Sequence, residues 1–264
     1  MSFETIKVTI DSGIGKILLN RPDKLNSLTQ GMMREIHQAV DELENETEIR
    51  LLVFTGSGRA FCAGQDLDDP VMQMVDDTPP DIGALVESLY KPLVMKLQNL
   101  RMPTLAAVNG LAAGGGSALV LACDFVVASR SAFFLQAFSN IGLTPDTGTT
   151  WFLPHRLGMA RAAGLTMLGD KLPAAKAAEW GLIWDVFDDD VFQTEIASLT
   201  HRLAKRPTTA LVRTRQLLYA AHSHSLEQQL SMEATFIREM GWRKDYQEGV
   251  SAFTERRTPK FTGE

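Results

Sequence analysis

Cysteine is nearly absent from this chain. It carries two, Cys62 and Cys123, far apart in sequence, which excludes a disulfide framework or a cysteine-rich metal cluster. Both are read as reduced, mostly buried thiols. Long apolar runs are missing too: no stretch approaches the ~20 consecutive apolar residues of a membrane-crossing helix. The opening segment, MSFETIKVTIDSG, has neither the basic start nor the apolar centre of a secretory signal. Positive charge is in short supply, with 26 Lys and Arg against 32 Asp and Glu and a net charge of -6. That balance disfavours a nucleic-acid partner, which needs a basic surface, although a local basic patch would suffice for an anionic ligand. Low-complexity tracts and solenoid repeats are absent as well. The expectation is a cytoplasmic protein with no membrane and no nucleic acid among its partners.

What is there is a globular composition. Of 264 residues, 45% are hydrophobic, enough for a sizeable core. Lys7 to Ile10 and Gly15 to Leu19 alternate like strands around a turn at Asp11-Ser12-Gly13. Met33, Ile36, Val40 and Leu43 recur at helical spacing, predicting a helix over 30–45 with caps available from Asn26 to Thr29. Three apolar runs, 51–55, 104–109 and 125–128, suit strands buried on both faces, and a helix is expected over 117–122. Strands alternating with helices make an α/β protein with layered sheets. The acidic segment Asp68 to Pro80 reads as a loop or a lid. Beyond about residue 160 the pattern turns helical: 160–168, 174–180, 191–205, 208–221 and 225–240. Asp188, Asp189 and Asp190 read as a capping cluster rather than a metal site. The boundary is placed near Arg206, giving a core over 1–205 and a C-terminal helical region over 206–264, which packs on the core or on a neighbouring subunit.

Two glycine-bearing segments carry the chemical signal. The first, Ala60 to Leu67 (AFCAGQDL), follows an expected strand. The second, Val108 to Ser117 (VNGLAAGGGS), also follows a strand and opens a helix. First-turn helix amides lack intrahelical partners and sit at the positive end of the helix dipole. They suit a carbonyl oxygen that gains negative charge. Tight strand–helix packing or a phosphate loop are the competing readings, but neither GxGxxG nor GxxxxGK[ST] is present.

The pair FCAGQDL and NGLAAGGGSAL, with LNRPDKLNSL upstream and EGVSAFTERR near the end, resembles the crotonase, or enoyl-CoA hydratase/isomerase, superfamily. The resemblance runs from about Ile17 to Phe261. It implies a spiral core of ββα units with a C-terminal helical region, homotrimers or hexamers, acyl-CoA thioester substrates, and no metal or cofactor beyond the substrate's coenzyme A. It places an oxyanion hole at the backbone amides of Gln65 and Gly115. It assigns substrate contacts to Lys24, Leu25, Ala63, Asp66, Leu67 and Phe138, and to Lys260 in the basic tail. Phe253 and Phe261 are candidates to pack on the adenine.

Hydratases of this superfamily use two glutamates. The matching positions here are Ala118 and Phe138, neither of which carries a proton. What remains is Asp146, in GLTPDTGT, at a position resembling the catalytic aspartate of dienoyl-CoA isomerases and of 4-chlorobenzoyl-CoA dehalogenases. Burial among Phe138, Phe134, Leu143 and Trp151 would raise its proton affinity. The competing reading makes it the cap of a helix beginning near Thr147. A dehalogenase would also need a histidine, and none of the five lies in the glycine segments. Glu87 and Glu233 are the fallback carboxylates for a hydratase. GRAFCAGQDL, WGLIWDVFDDD and DYQEGVSAFTERRTPKFTGE resemble the isomerases of phenylacetate degradation, which convert the ring 1,2-epoxide of phenylacetyl-CoA to the oxepin-CoA. The alternatives are a hydratase or a Δ3,Δ2- or dienoyl-CoA isomerase of fatty-acid oxidation and, in another class, a non-catalytic acyl-CoA- or RNA-binding paralogue.

Overall fold

In the computed structural model, which describes residues 3–264, the chain opens as a hairpin. β1 (Ile6–Asp11) and β2 (Ile14–Leu19) pair antiparallel, with Asp11 opposite Ile14. Ser12 and Gly13 make the turn with φ of 51° and 77°, the two consecutive left-handed residues that a two-residue hairpin loop requires. Then α1 (Gln30–Asn45) starts where the Thr29 hydroxyl accepts from the Met32 amide at 3.1 Å. Its apolar stripe, Met33, Ile36, Val40 and Leu43, is fully buried.

The remaining strands are β3 (Leu51–Gly56), β4 (Ala60–Cys62), β5 (Thr104–Val108), β6 (Leu111–Ala113), β7 (Phe125–Ser129), β8 (Phe133–Leu135), β9 (Lys171–Pro173) and β10 (Asp185–Phe187). They form two sheets. One runs β1-β2-β3-β5-β7-β10, the other β4-β6-β8-β9. From β2 to β10 the large sheet is parallel. Each of β3, β5 and β7 leaves it, turns, and gives a three-residue strand to the small sheet before the chain winds back. That repeated step is the expected ββα spiral. The sequence reading found only three strands of this central part, because a three-residue strand shows too little alternation to register.

The helices are α2 (Ile82–Leu85) and α3 (Lys91–Asn99), joined by a π-helical turn at Val86–Tyr90, then α4 (Gly114–Leu121), α5 (Thr149–Leu157), α6 (Met159–Leu168), α7 (Ala174–Glu179) and α8 (Phe192–Ala204). The C-terminal stretch is α9 (Thr208–Ala220), α10 (Leu226–Gly241) and α11 (Lys244–Thr254). Helix α4 begins three residues before the predicted start, because the glycine run is itself its first turn. The capping role expected of Asp188 to Asp190 is not what these residues do. Asp188 pairs with Arg130, Asp189 accepts from the Ser131 amide at 3.1 Å, and α8 starts at Phe192 after Val191, without a side-chain cap.

Helix α9 is pinned to the core by Arg215. Its guanidinium is buried and meets Asp124 at 3.0 Å and the Met102 carbonyl at 3.2 Å. Helix α10 buries no residue and leaves Leu226, Leu230 and Ile237 exposed. No helix among the described residues is long and apolar enough to cross a membrane. Both cysteines are free and buried, and burial pushes each thiol up to about 12.

Candidate active site

In the small sheet β4, β6 and β8 lie side by side and parallel. Parallel neighbours release the chain at the same edge. Three segments therefore emerge together: Ala63 to Asp66 after β4, the glycine run after β6, and Gln136 to Phe138 after β8. They wall a cleft of roughly 240 Å³, with Gln65, Gly115, Phe138 and Asp146 all on its lining.

The first wall is built from the LNRPDKLNSL segment. Leu28 bonds the residues on either side of Gln65, donating to the Gly64 carbonyl at 2.7 Å and accepting from the Asp66 amide at 2.8 Å. Along an extended chain successive backbone groups point to opposite sides, so the Gln65 amide is turned away from Leu28. It has no acceptor among the described residues. Arg21 holds the loop from beneath, with its guanidinium 2.8 Å from Asp66. Burial alone would push the Asp66 carboxyl up. The hydrogen bonds from Arg21, the Asp68 amide and Ser27 outweigh it and hold the group below the usual carboxylate range.

The second wall is the first turn of α4, where the Gly115 amide also lacks an acceptor among the described residues. Close approach explains two of the glycines nearby. A Cβ on Gly64 would lie 3.0 Å from the Ala113 carbonyl oxygen, and one on Gly116 would lie 2.6 Å from Cys62. The backbones of the two segments thus touch. Gly116 serves packing, so only part of the run is left to face a ligand.

The third wall holds Asp146. Its carboxyl is raised above the ordinary aspartate value chiefly by burial, against a hydrogen bond from the Thr147 hydroxyl at 2.9 Å. The capping alternative fails: α5 has Gly148 before its first residue and no side-chain cap, and only the Asp146 backbone carbonyl takes the Thr149 amide. Phe138 and Leu143 line the cleft beside Asp146, but Phe134 and Trp151 do not. Trp151 turns outward, stacking on His155 with ring centroids 4.3 Å apart. Among the described residues, Asp146 is the only carboxylate on the lining. Ala118 is buried in α4, Glu87 pairs with Lys91 on the surface, and Glu233 sits exposed on α10.

Other expected contacts are dispersed. Ala63 and Leu67 line the cleft. Leu25 accepts from the Ala63 amide at 3.0 Å, and exposed Lys24 meets Asp68 at 3.1 Å. Asp66 points its carboxylate at Arg21, not at the cleft. Lys260 lies elsewhere, in a groove with Arg50 and His201. The tail around it is tied down: Arg257 pairs with Glu248 and Glu255, and the Glu248 carboxylate also takes the Lys260 amide at 2.7 Å. Phe253 is 87% exposed. Sequence reasoning missed Tyr90, Met72, Ile82, Leu85 and Val86, all on the lining. The helical spacing of Ile82, Leu85, Leu89, Leu93 and Leu97 was the available signal.

The enoyl-CoA hydratase/isomerase family model matches residues 9–264. The chain belongs to that family. Its members act on acyl-CoA substrates. One relative is 1,2-epoxyphenylacetyl-CoA isomerase of Escherichia coli K12, 45% identical over 98% of this chain and 99% of its own length. Another, named "Probable enoyl-CoA hydratase" in Rhodobacter capsulatus, is 41% identical over the full length of both. Among solved structures, the enoyl-CoA hydratase of Bacillus anthracis superposes with a TM-score of 0.91 at 30% identity, covering 99% of this chain and 100% of its own. The spiral fold is therefore that of the family, and the chain is an enzyme of it.

Proposed function

We propose that this enzyme is an acyl-CoA isomerase that shifts a double bond by proton transfer through Asp146. The observation that carries the reading is the cleft's acid–base inventory: one carboxylate, with no glutamate at positions 118 or 138, facing a pair of unpartnered amides. The thioester carbonyl accepts hydrogen bonds from the Gln65 and Gly115 amides. Asp146 removes a proton from C2 of a 3-enoyl-CoA, and the electron pair moves into a dienolate whose oxygen charge the amides stabilise. Asp146 then returns the same proton to C4, leaving the 2-enoyl-CoA. Atoms balance with no water and no cofactor. The raised affinity of Asp146 for a proton makes it a better base for the abstraction, and the carboxylic acid so formed is the donor for the return.

The physiological substrate in this reading is 1,2-epoxyphenylacetyl-CoA, in phenylacetate degradation. Support comes from the 45% identity to the Escherichia coli isomerase and from Phe138 and Tyr90 on the lining, which suit an aromatic acyl group. The enzyme works in the cytoplasm as a homotrimer or hexamer. The unburied apolar side chains of α10 support assembly through the C-terminal helices.

The test uses 3-enoyl-CoA and crotonyl-CoA in separate reactions. Conjugated enoyl absorbance should grow from the first with no change of mass, and crotonyl-CoA should gain no water. A product heavier by one water at useful rates would overturn the isomerase reading in favour of a hydratase with another proton carrier.

A further inference from the structure

Tyr90 stands between the two amide segments. Its ring is against Gly115, where a Cβ would come within 3.2 Å of the ring edge. Its hydroxyl donates to Gln65 Oε1 at 2.5 Å. One buried side chain therefore touches both residues whose amides face the cleft. The phenol stays a donor: burial first, then Cys62, Asp146 and Asp69 nearby, raise its pKa far above neutrality.

The backbone that presents Tyr90 is unusual and anchored. Tyr90 ends the π-helical turn Val86–Tyr90, and such single turns recur where a helix must re-aim a side chain at a site. Just before it, the Leu89 carbonyl is bonded by a ring nitrogen of His37 at 2.7 Å, tying the turn to α1. The contact order is α1, π turn, Tyr90, then both amide segments.

We propose that Tyr90 is a positioning residue, wedged between Gly115 and the Gln65 side chain, that sets the gap between the two carbonyl-binding amides. The inference rests on the carbonyl-binding role given to those amides above. Without the hydroxyl bond the Gln65 loop relaxes away from Gly115, and the two amides no longer converge on one oxygen. Contacts to the coenzyme A moiety are untouched. The loss therefore falls on kcat and not on KM.

The probe is 4-dimethylaminocinnamoyl-CoA, a chromophoric enoyl thioester whose absorbance moves to the red as its carbonyl is polarised. Wild-type protein should shift it. Tyr90→Phe, which keeps the ring, should show a smaller shift and a kcat on 3-enoyl-CoA about three- to tenfold lower, the effect of one hydrogen bond. Gln65→Ala removes the acceptor and leaves the amide, and should do the same. The double variant should be no worse than the weaker single, because both remove one bond. A wild-type spectrum and kcat in Tyr90→Phe would overturn the proposal, and so would losses that multiply in the double variant. A wild-type protein that leaves the spectrum unmoved would remove the amides' role and the proposal with it. Asp146→Asn separates the two ideas: it should keep the red shift and lose turnover. If it keeps turnover, the proton-transfer reading fails, while the shift still reports on Tyr90.

Discussion

The two sheets of this enzyme do different work. Strands β1 to β3, β5 and β7 of the large sheet are five or six residues long, and Leu51 to Phe54 in β3 are all buried. Every strand of the small sheet is three residues long. Yet the three parallel strands of the small sheet feed three walls of the cleft, which the helical segment from Ile82 to Tyr90 completes. Long buried strands bring apolar area out of water. Short parallel strands contribute little area, but they deliver several loops to one edge. Stability and chemistry are thus largely assigned to separate layers, and mutations in each should read out differently.

The largest expected effect is in the large sheet. Phe54 is fully buried in β3, and Phe54→Ala should cost about 3–5 kcal/mol of stability from lost burial and the cavity left behind. Denaturant unfolding should show the lower midpoint. Turnover per folded molecule, with 3-enoyl-CoA, should stay near wild type. A fall in turnover per folded molecule matching the loss of stability would break the division between the sheets.

Asp146→Asn is the opposite case. On the proposed proton-transfer role, this change should lower kcat about 100-fold or more, and stability should be kept or raised. The sign follows from the carboxyl's raised folded pKa. A group raised in the folded state binds its proton more tightly there than in the unfolded chain, so its favourable contribution is present at low pH. It is lost as pH rises through the folded value. At neutral pH the half-buried carboxylate is then a net cost, which asparagine removes. The same shift moves the acid limb of wild-type kcat above the ordinary aspartate value of 3.8. Thermal unfolding of both proteins at pH 7 checks the first point, and a pH–rate profile checks the second.

A single methyl group should affect both properties where the segments touch. Gly64 has φ of 95°, and an added Cβ would be 3.0 Å from the Ala113 carbonyl oxygen. Gly64→Ala should lower stability by about 1–2 kcal/mol through the backbone conformation and push Gln65 away from Gly115. A fall of about tenfold in kcat follows if the amides must converge. Tm and kcat measured on one preparation test it, and unchanged kcat beside a lowered Tm would mean that the amide gap does not govern rate.

The division between sheets also explains what the sequence made legible. The hairpin and α1 carry alternation or helical spacing, and β3, β5 and β7 are continuous apolar runs, so the hydrophobic pattern finds them. Strands β4, β6, β8 and β9 are too short to show a period, and the site stands on three of them. Residues of the site were found instead through the FCAGQDL and NGLAAGGGSAL motifs and the Asp146 position, which the fold brings to one cleft. Tyr90 had no motif, only the unread spacing of 82–97, and a π turn changes which residue such spacing points inward. Lys260 and Phe253 were named from the tail motif, and this chain alone does not bring them to its own cleft.

The smallest expected effect lies where the two regions meet. Helix α5 begins three residues after Asp146, and Trp151 and His155 on it pack against Tyr219 in α9 and His222 just beyond it. The His155 and His222 rings are 4.4 Å apart. Burial, then repulsion from His155, lowers the His222 pKa from 6.5. A histidine lowered in the folded state contributes stability above its unfolded value and loses it as pH falls through the folded one. Wild-type protein should therefore lose Tm faster than His222→Gln between pH 7.5 and 5, by a small margin because the ring is largely exposed. Parallel Tm curves would show that the contact does not couple α5 to α9. A steeper wild-type curve, with kcat on 3-enoyl-CoA in the variant unchanged at pH 7.5, would place this cluster with the stabilising layer although it adjoins the Asp146 loop.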